Sequence, residues 1–283
     1  MFEVIVSKSK KDFSKQILSY NFHVKKSLGQ CFLSDSNIPQ KIVELSNLNH
    51  DTTVIEVGAG MGALTKYLLP QSKKVIAYEI DPSIIPILKE NTKAYSNLEI
   101  QEEDILKANL AYLSSIEGPI ISISNLPYYI TSPIISLFLE KIPEIKTMYF
   151  MVQKEVADRI TAKKNTKDYN AFSVEIQYLS KVKSILFVPR NCFTPAPNVD
   201  SAVIKIEKIE RNNSIEDYTA FKKVVERCFR ERRKTLLNNL SINQSKEDVR
   251  RILESANIDS SLRAEDLSIE DFINLYNVFG GKI

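Results

Sequence analysis

Over the first two thirds of the chain, short runs of β-branched and aliphatic residues alternate with longer stretches whose apolar positions recur at helical spacing. Residues 53–57, 75–78, 98–101, 120–123, 148–152, 182–188 and 201–206 read as strands, several of them apolar on both faces. That is the pattern of strands buried beneath helices. Helical spacing predicts helices over about 36–48, from Ala63, from Asp81-Pro82, over 134–142 and around Val156 and Ile160. Strands alternating with helices predict an α/β fold, a Rossmann-like sheet of seven strands. The run at 201–206 follows its predecessor through a loop too short for a crossover helix, so the last strand should be antiparallel. From about residue 214 the strands stop. Three capping boxes, Ser214…Asp217, Ser245…Asp248 and Ser268…Asp271, mark helix starts there, because a hydroxyl and a carboxylate three apart satisfy the first free N–H groups. The expected division is an α/β domain over 1–208, with a basic arm at about 1–30, and a small all-helical domain over 212–283.

Composition narrows the class without choosing a function. The chain has 283 residues, 43% hydrophobic and 26% charged, which suits a large globular domain plus a small one. Three scattered cysteines and two histidines argue against a disulfide framework or a zinc site, so no metal centre is expected. No apolar run approaches the ~18 residues of a membrane helix, and the N-terminus lacks a signal-peptide core. A cytoplasmic location and no membrane partner are the expectations. Net charge is only +3, but its distribution matters more. Residues 1–30 carry six lysines against Glu3 and Asp12, with Phe13, Tyr20, Phe22 and His23 between them. Lys222, Lys223, Arg227, Arg230, Arg232, Arg233 and Lys234 stand against Glu226 and Glu231. The arm suits nucleic acid as readily as solvent, whereas for the second cluster, net +5 over thirteen residues, a phosphate-backbone contact is the better reading.

The candidate chemistry lies at the carboxyl ends of the strands, where open α/β sheets bind ligands. Three of the seven glycines fall in Gly58-Ala59-Gly60-Met61-Gly62, where backbone can approach a ligand closely. With Ala63 the loop also meets a dinucleotide fingerprint, which leaves a nicotinamide cofactor open. Glu79 ends the next strand and could accept from both hydroxyls of a ribose. Asp104 follows the third strand and could accept from an adenine amine. Asn125-Leu126-Pro127-Tyr128 ends the fourth. There Asn125 Oδ1 and a main-chain carbonyl, with Leu126 the candidate, could each accept one N–H of a planar amine while Tyr128 stacks on its ring. The Pro-rich loop 194–198 holds Phe193 in place as a second aromatic.

Together these motifs resemble the KsgA-type ribosomal RNA adenine N6,N6-dimethyltransferases, relatives of the erythromycin-resistance RNA methylases. The likeness runs from about Lys25 to the C-terminus. It rests on K-K-S-L-G-Q-x-F-L at 25–33, E-V-G-A-G-M-G-A-L-T at 56–65, Glu79, Asp104, N-L-P-Y at 125–128, Q-K-E-V-A-D-R at 153–159, F-T-P-A-P-N-V-D-S-A-V at 193–203 and R-R-K-T-L at 232–236. The resemblance implies S-adenosyl-L-methionine as cofactor, with Gly58 and Gly60 along its methionine moiety, Glu79 on the ribose and Asp104 at the adenine. It also places Cys31, Leu33, Glu56 and Asn125 in the cofactor site. It implies two adjacent adenosines in a hairpin near the 3′ end of small-subunit rRNA as target, each receiving two methyl groups from a monomeric enzyme. N-L-P-Y rather than N-I-P-Y favours that RNA over the large-subunit target of the erythromycin-resistance branch. Asn125, Leu126, Tyr128 and Phe193 are the expected catalytic residues. Lys222, Lys223, Arg230, Arg232, Arg233 and Lys234 are the expected RNA contacts. A non-catalytic assembly factor with a relic cofactor site is the alternative. Two positions depart from the pattern: Cys31 replaces an asparagine and Asn170 replaces a glycine, which leaves the cofactor contact and a local loop open.

Overall fold

The computed structural model describes residues 31–210, 215–242 and 244–279. The basic arm, the 25–30 part of the first motif and Ser214 lie outside them. The described elements are, in order, β1 (Phe32–Leu33), α1 (Asn37–Ser46), β2 (Thr53–Val57), α2 (Thr65–Leu68), β3 (Lys74–Tyr78), α3 (Ile85–Thr92), β4 (Leu98–Gln101), β5 (Ile120–Asn125), α4 (Thr131–Lys141), β6 (Ile145–Gln153), α5 (Lys154–Thr161), α6 (Ala171–Leu179), β7 (Ser180–Val188), β8 (Phe193–Thr194), β9 (Ser201–Lys208), α7 (Tyr218–Cys228), α8 (Leu236–Leu240), α9 (Lys246–Ser255) and α10 (Ile269–Phe279).

Seven strands form one sheet in the order β4-β3-β2-β5-β6-β9-β7. The pairs β3–β4, β2–β3, β2–β5 and β5–β6 are parallel, and β9 runs antiparallel to β6. The chain order reverses between β2 and β5, which opens a crevice at their carboxyl ends. Every residue of β2 is buried, as a strand covered on both faces requires. Two buried serines of β5 tie it to β2: Ser122 Oγ donates to Ile55 O at 2.9 Å, and Ser124 Oγ accepts from Val57 N at 2.9 Å. A second, two-stranded pair joins β1 to β8 in antiparallel register, Leu33 opposite Phe193.

Some local expectations shift. The helix after the glycine loop begins at Thr65, and α4 begins at Thr131 without a side-chain cap. Thr131 Oγ1 instead donates to Pro127 O at 3.1 Å. The box at Ser268 forms in both directions. At Ser245 the hydroxyl caps Asp248 N, and the Asp248 carboxylate accepts from that hydroxyl rather than from the Ser245 N–H. Before α7, the cap is Asp217 itself, accepting from Thr219 N and Ala220 N.

The chain forms two compact units, and the division differs from the single boundary expected near 208–212. Of the described residues, one unit holds those through Ala157 together with Lys183–Glu207; the other holds Asp158–Val182 with those from Lys208 onward. The second unit has its own core, in which Tyr169, Val174 and Tyr178 join Phe221, Val225, Leu240, Phe272 and Tyr276. The Tyr178 and Phe221 rings lie 4.8 Å apart. Helix α6 belongs there because its apolar face is completed by α7 and α10, a choice that helical periodicity by itself leaves free.

Candidate active site

The ends of β2, β3 and β5 and the loop after β4 surround a cavity of about 370 Å³. Each strand delivers one expected group to it. From β2 come Glu56 and then Gly58 and Gly60; from β3 comes Glu79; Asp104 follows β4; Asn125 to Tyr128 follow β5. Cys31 and Leu33 complete the wall beside β1. The sequence reading missed Tyr78, Phe32 and Tyr129, which line it too. Tyr129 adjoins the N-L-P-Y motif and is half exposed, the one signal that pointed to it.

The glycine loop and the Asn125 motif are built around each other. Gly58 sits at φ +72° and Gly60 at +56°, left-handed values that favour glycine. A Cβ on Gly58 would lie 3.2 Å from both Cδ and Cγ of Pro127. Pro127 takes φ −59° and ψ 128°, and Leu126 is pinned by its N–H donating to Met151 O at 3.1 Å. Asn125, the last residue of β5, lies opposite Met151 of β6. The amine-accepting group thus rides on a sheet edge rather than on a free loop.

Charge is held tightly on the opposite wall. Glu79 is buried, yet Oε2 accepts from Gly60 N at 2.8 Å and Oε1 from Asp81 N at 2.9 Å. Burial raises its pKa, and those two N–H groups work against the rise. Asp104 Oδ1 accepts from Leu106 N at 3.0 Å. Glu56 is wholly enclosed, with its pKa pushed up to about 8, chiefly by burial and further by the Glu79 carboxylate. The Thr65 hydroxyl beside it pulls the other way without meeting it in hydrogen-bond geometry. Glu56 Oε2 and Thr65 Oγ1 therefore remain buried without a hydrogen-bond partner. An orphaned carboxyl oxygen on a cavity wall suits an N–H-bearing ligand group, or a cation that draws off its proton. The close glycine backbone, the Glu79 carboxylate and this orphaned oxygen together fit a nucleoside cofactor with an amino-acid tail.

Tyr128 and Phe193 behave differently from each other. The Tyr128 hydroxyl meets Ser201 Oγ at 2.8 Å, which fixes the ring against the start of β9. Burial raises its pKa. Phe193 does not reach the cavity. It is 2% exposed and packs with Leu33, Val54 and Cys192 in the core, because the β1–β8 register turns it inward. The expected stacking role for Phe193 is therefore corrected. Cys31 lies half-buried on the wall, and burial raises its thiol pKa, keeping it neutral. The Asn170 departure is structurally simple: Asn170 is the N-cap of α6, at extended φ −154°, in a capping box with Ser173.

The expected RNA contacts divide into two groups. Lys222 pairs with Glu175 at 3.6 Å and lies over the Tyr218 ring. Arg232 Nε pairs with Glu265 at 3.2 Å, and its Nη2 donates to Lys167 O. Lys234 pairs with Glu231 at 2.7 Å. Lys223, Arg230 and Arg233 are exposed, with no ion pair to the described residues. Among the described residues no His, Cys, Asp or Glu cluster could hold a metal ion, and no helix is long and apolar enough to cross a membrane.

A mixed seven-stranded sheet carrying this cavity at its switch point defines an S-adenosylmethionine-dependent methyltransferase. The chain belongs to the ribosomal RNA adenine dimethylase family, whose model matches residues 21–280. It is 45% identical over 276 residues to a ribosomal RNA small subunit methyltransferase A of Geobacillus thermodenitrificans, covering 93% of this chain and 94% of the relative. The namesake from Bacillus mycoides is 44% identical over 268 residues, at 91% and 92% coverage. Among solved structures, a dimethyladenosine transferase from Plasmodium falciparum matches with a TM-score of 0.77 at 27% identity, covering 89% of this chain and 98% of that one. The 23S rRNA methyltransferase ErmE matches at 0.66 and 25% identity, covering 88% and 99%. The nicotinamide alternative falls with the family assignment.

Proposed function

We propose that the protein places two methyl groups on the N6 amine of each of two adjacent adenosines in a hairpin near the 3′ end of small-subunit rRNA. It acts as a cytoplasmic monomer on the subunit or an assembly precursor, as a step of ribosome biogenesis. The observation that carries this reading is the fixed juxtaposition of Asn125 and Leu126 with the Gly58 turn. The relatives named for the small subunit are much more alike this chain than the 23S enzyme is, which favours that RNA.

S-adenosylmethionine, when bound, supplies an electrophilic methyl group on a sulfonium. Glu79 would hold its ribose hydroxyls, Asp104 its adenine amine, and Gly58, Gly60 and Glu56 its amino-acid end, with Cys31 and Leu33 on the adjoining wall. On the substrate side, the adenine amine is a poor nucleophile, since its lone pair is delocalised into the ring. Asn125 Oδ1 and the Leu126 carbonyl would accept its two N–H groups and favour a tetrahedral nitrogen. Positioning and electrostatics then carry the catalysis, without a strong base. The base must leave its stack to enter, and Tyr128, braced by Ser201, offers it a face. Phe193 supports the wall from behind, through Leu33.

Asn125→Ala tests the reading. Methyl transfer to rRNA, counted by mass spectrometry of its adenosines, should fall by orders of magnitude while S-adenosylhomocysteine and RNA still bind. Near-normal turnover would reduce Asn125 to a turn residue. Wild-type protein that binds RNA but never methylates it would favour the non-catalytic assembly factor.

A further inference from the structure

The loop 163–168, Lys163-Lys164-Asn165-Thr166-Lys167-Asp168, is lysine-rich and fully exposed, yet well held. Asn165 takes φ +66°, and its N–H donates to Glu265 O at 2.8 Å. Thr166 Oγ1 donates to Lys163 O at 2.7 Å, and Tyr169 N donates to Thr166 O at 3.2 Å. Tyr169 itself is buried against the Phe229 ring, 6.0 Å away. Arg232 closes the arrangement: one arm holds Glu265, the other donates to Lys167 O. The loop is thereby fastened to the basic segment 230–234, which is remote in sequence but belongs to the same compact unit.

This arrangement sorts the cations by task. Arg232 spends its donors inside the protein, and Glu265 neutralises it. Lys163, Lys164, Lys167, Arg230 and Arg233 make no ion pair with a described acid; the exposed acids among them are Asp168 and Glu231, and Glu231 is taken by Lys234. Five unpaired cations on two segments laced together form a fixed positive surface. A loop whose backbone is already held loses little main-chain freedom on meeting a phosphate chain, and phosphates reward its cations by counterion release.

We propose that the loop lysines Lys163, Lys164 and Lys167, joined to Arg230 and Arg233 through the Arg232 strut, form one RNA-backbone contact surface, in which Arg232 positions the loop and touches no phosphate. The inference rests on rRNA being the substrate and extends it to a surface outside the cavity.

The test is filter binding of a small-subunit rRNA transcript to the full-length protein between 50 and 300 mM salt, values chosen to resolve slopes of roughly one unit per phosphate. Replacing Lys163, Lys164 and Lys167 together with Ala should flatten the log–log salt slope by up to about 3 units, at roughly 0.9 per duplex phosphate. S-adenosylhomocysteine affinity should not move. Arg233→Ala should flatten the slope by about one unit. Arg232→Ala should do something else: cleavage by a lysine-specific protease after the loop lysines should accelerate roughly tenfold, the loss of a charged hydrogen-bond pair, whereas Arg233→Ala leaves cleavage unchanged. A wild-type slope in the triple variant overturns the surface, and equal protease resistance in the Arg232 and Arg233 variants overturns the strut. Wild-type protein with no salt-dependent RNA binding would instead overturn the substrate reading beneath it.

Discussion

Replacing Gly58 with alanine should damage the site from a distance, through Pro127. Two costs combine. Alanine at φ +72° carries the left-handed backbone penalty, about 1–2 kcal/mol. Its Cβ would also stand 3.2 Å from two carbons of Pro127, inside the ~3.5–4.0 Å of comfortable carbon contact. A pyrrolidine ring cannot rotate away, and the next peptide toward β5 is pinned to Met151. Overpacking of that kind costs about 1–3 kcal/mol. Gly60→Ala provides the control: it too is left-handed, at +56°, but its Cβ would meet Phe32 at 3.5 Å, an ordinary contact. The difference between the two variants therefore isolates the Pro127 collision. At about 2–4 °C per kcal/mol for a chain of this size, Gly58→Ala should melt several degrees below Gly60→Ala. Because the strain is relieved by moving Pro127, and Leu126 with it, methyl transfer should fall further than S-adenosylhomocysteine affinity does. Denaturation curves, calorimetry with S-adenosylhomocysteine and single-turnover methylation of rRNA supply the three numbers. Equal stability of the two variants, or unimpaired transfer in Gly58→Ala, would refute the coupling between loop and motif.

Glu56 predicts a pH dependence. Its folded pKa is raised to about 8, so the folded state keeps a proton that the unfolded chain releases near pH 4.3. Stability of the ligand-free protein should thus decline as pH rises from about 4.3 to about 8, and Glu56→Gln should flatten that decline in urea titrations; an unaltered slope would place the proton elsewhere. Tyr128→Phe keeps the ring but strands the fully buried Ser201 hydroxyl, so it should cost roughly 1 kcal/mol of stability and far less methyl transfer than Tyr128→Ala; a variant of wild-type stability would mean the hydroxyl pair is idle. Asn170→Ala should lower stability by about 1 kcal/mol and Asn170→Gly by only a few tenths, as N-cap exchanges do, and the opposite order would remove the capping role.

The parts of the site carried by neighbouring residues were legible from the chain alone. A β-branched run followed by three glycines, an acid at the next strand end, and Asn125 to Tyr128 before a helix each announce themselves within a dozen residues, and each reaches the cavity. What stayed hidden depends on partners far off in sequence. Phe193 looks available in its proline-bounded loop, and only the pairing of β8 with β1 shows it facing the core. Arg232 and Lys222 look like neighbours in one basic run, yet Glu265 and Glu175 claim them. Helix α6 carries an apolar face that any element could cover, and the rings of α7 and α10 are what cover it. Asn170 seemed a disruption because a glycine was expected; its extended backbone and hydrogen bond to Ser173 make it an ordinary cap.

The interleaving of the two units has a consequence for how the chain can mature. Helix α6 leaves the ribosome early, but Phe221, Leu240, Phe272 and Tyr276, which enclose Val174 and Tyr178, are translated much later. Until then its apolar face stays uncovered, while β7, β8 and β9 emerge and finish the first unit's sheet. Folding therefore cannot proceed as a clean sequence of N-terminal then C-terminal domains, the usual order for multidomain chains. A ribosome that stalls within 209–279 leaves a sheet able to close and an orphan helix prone to stick to other chains. Separating the units with a single cut fails for the same reason: a fragment starting at Lys208 lacks Tyr169, Val174 and Tyr178 of its own core.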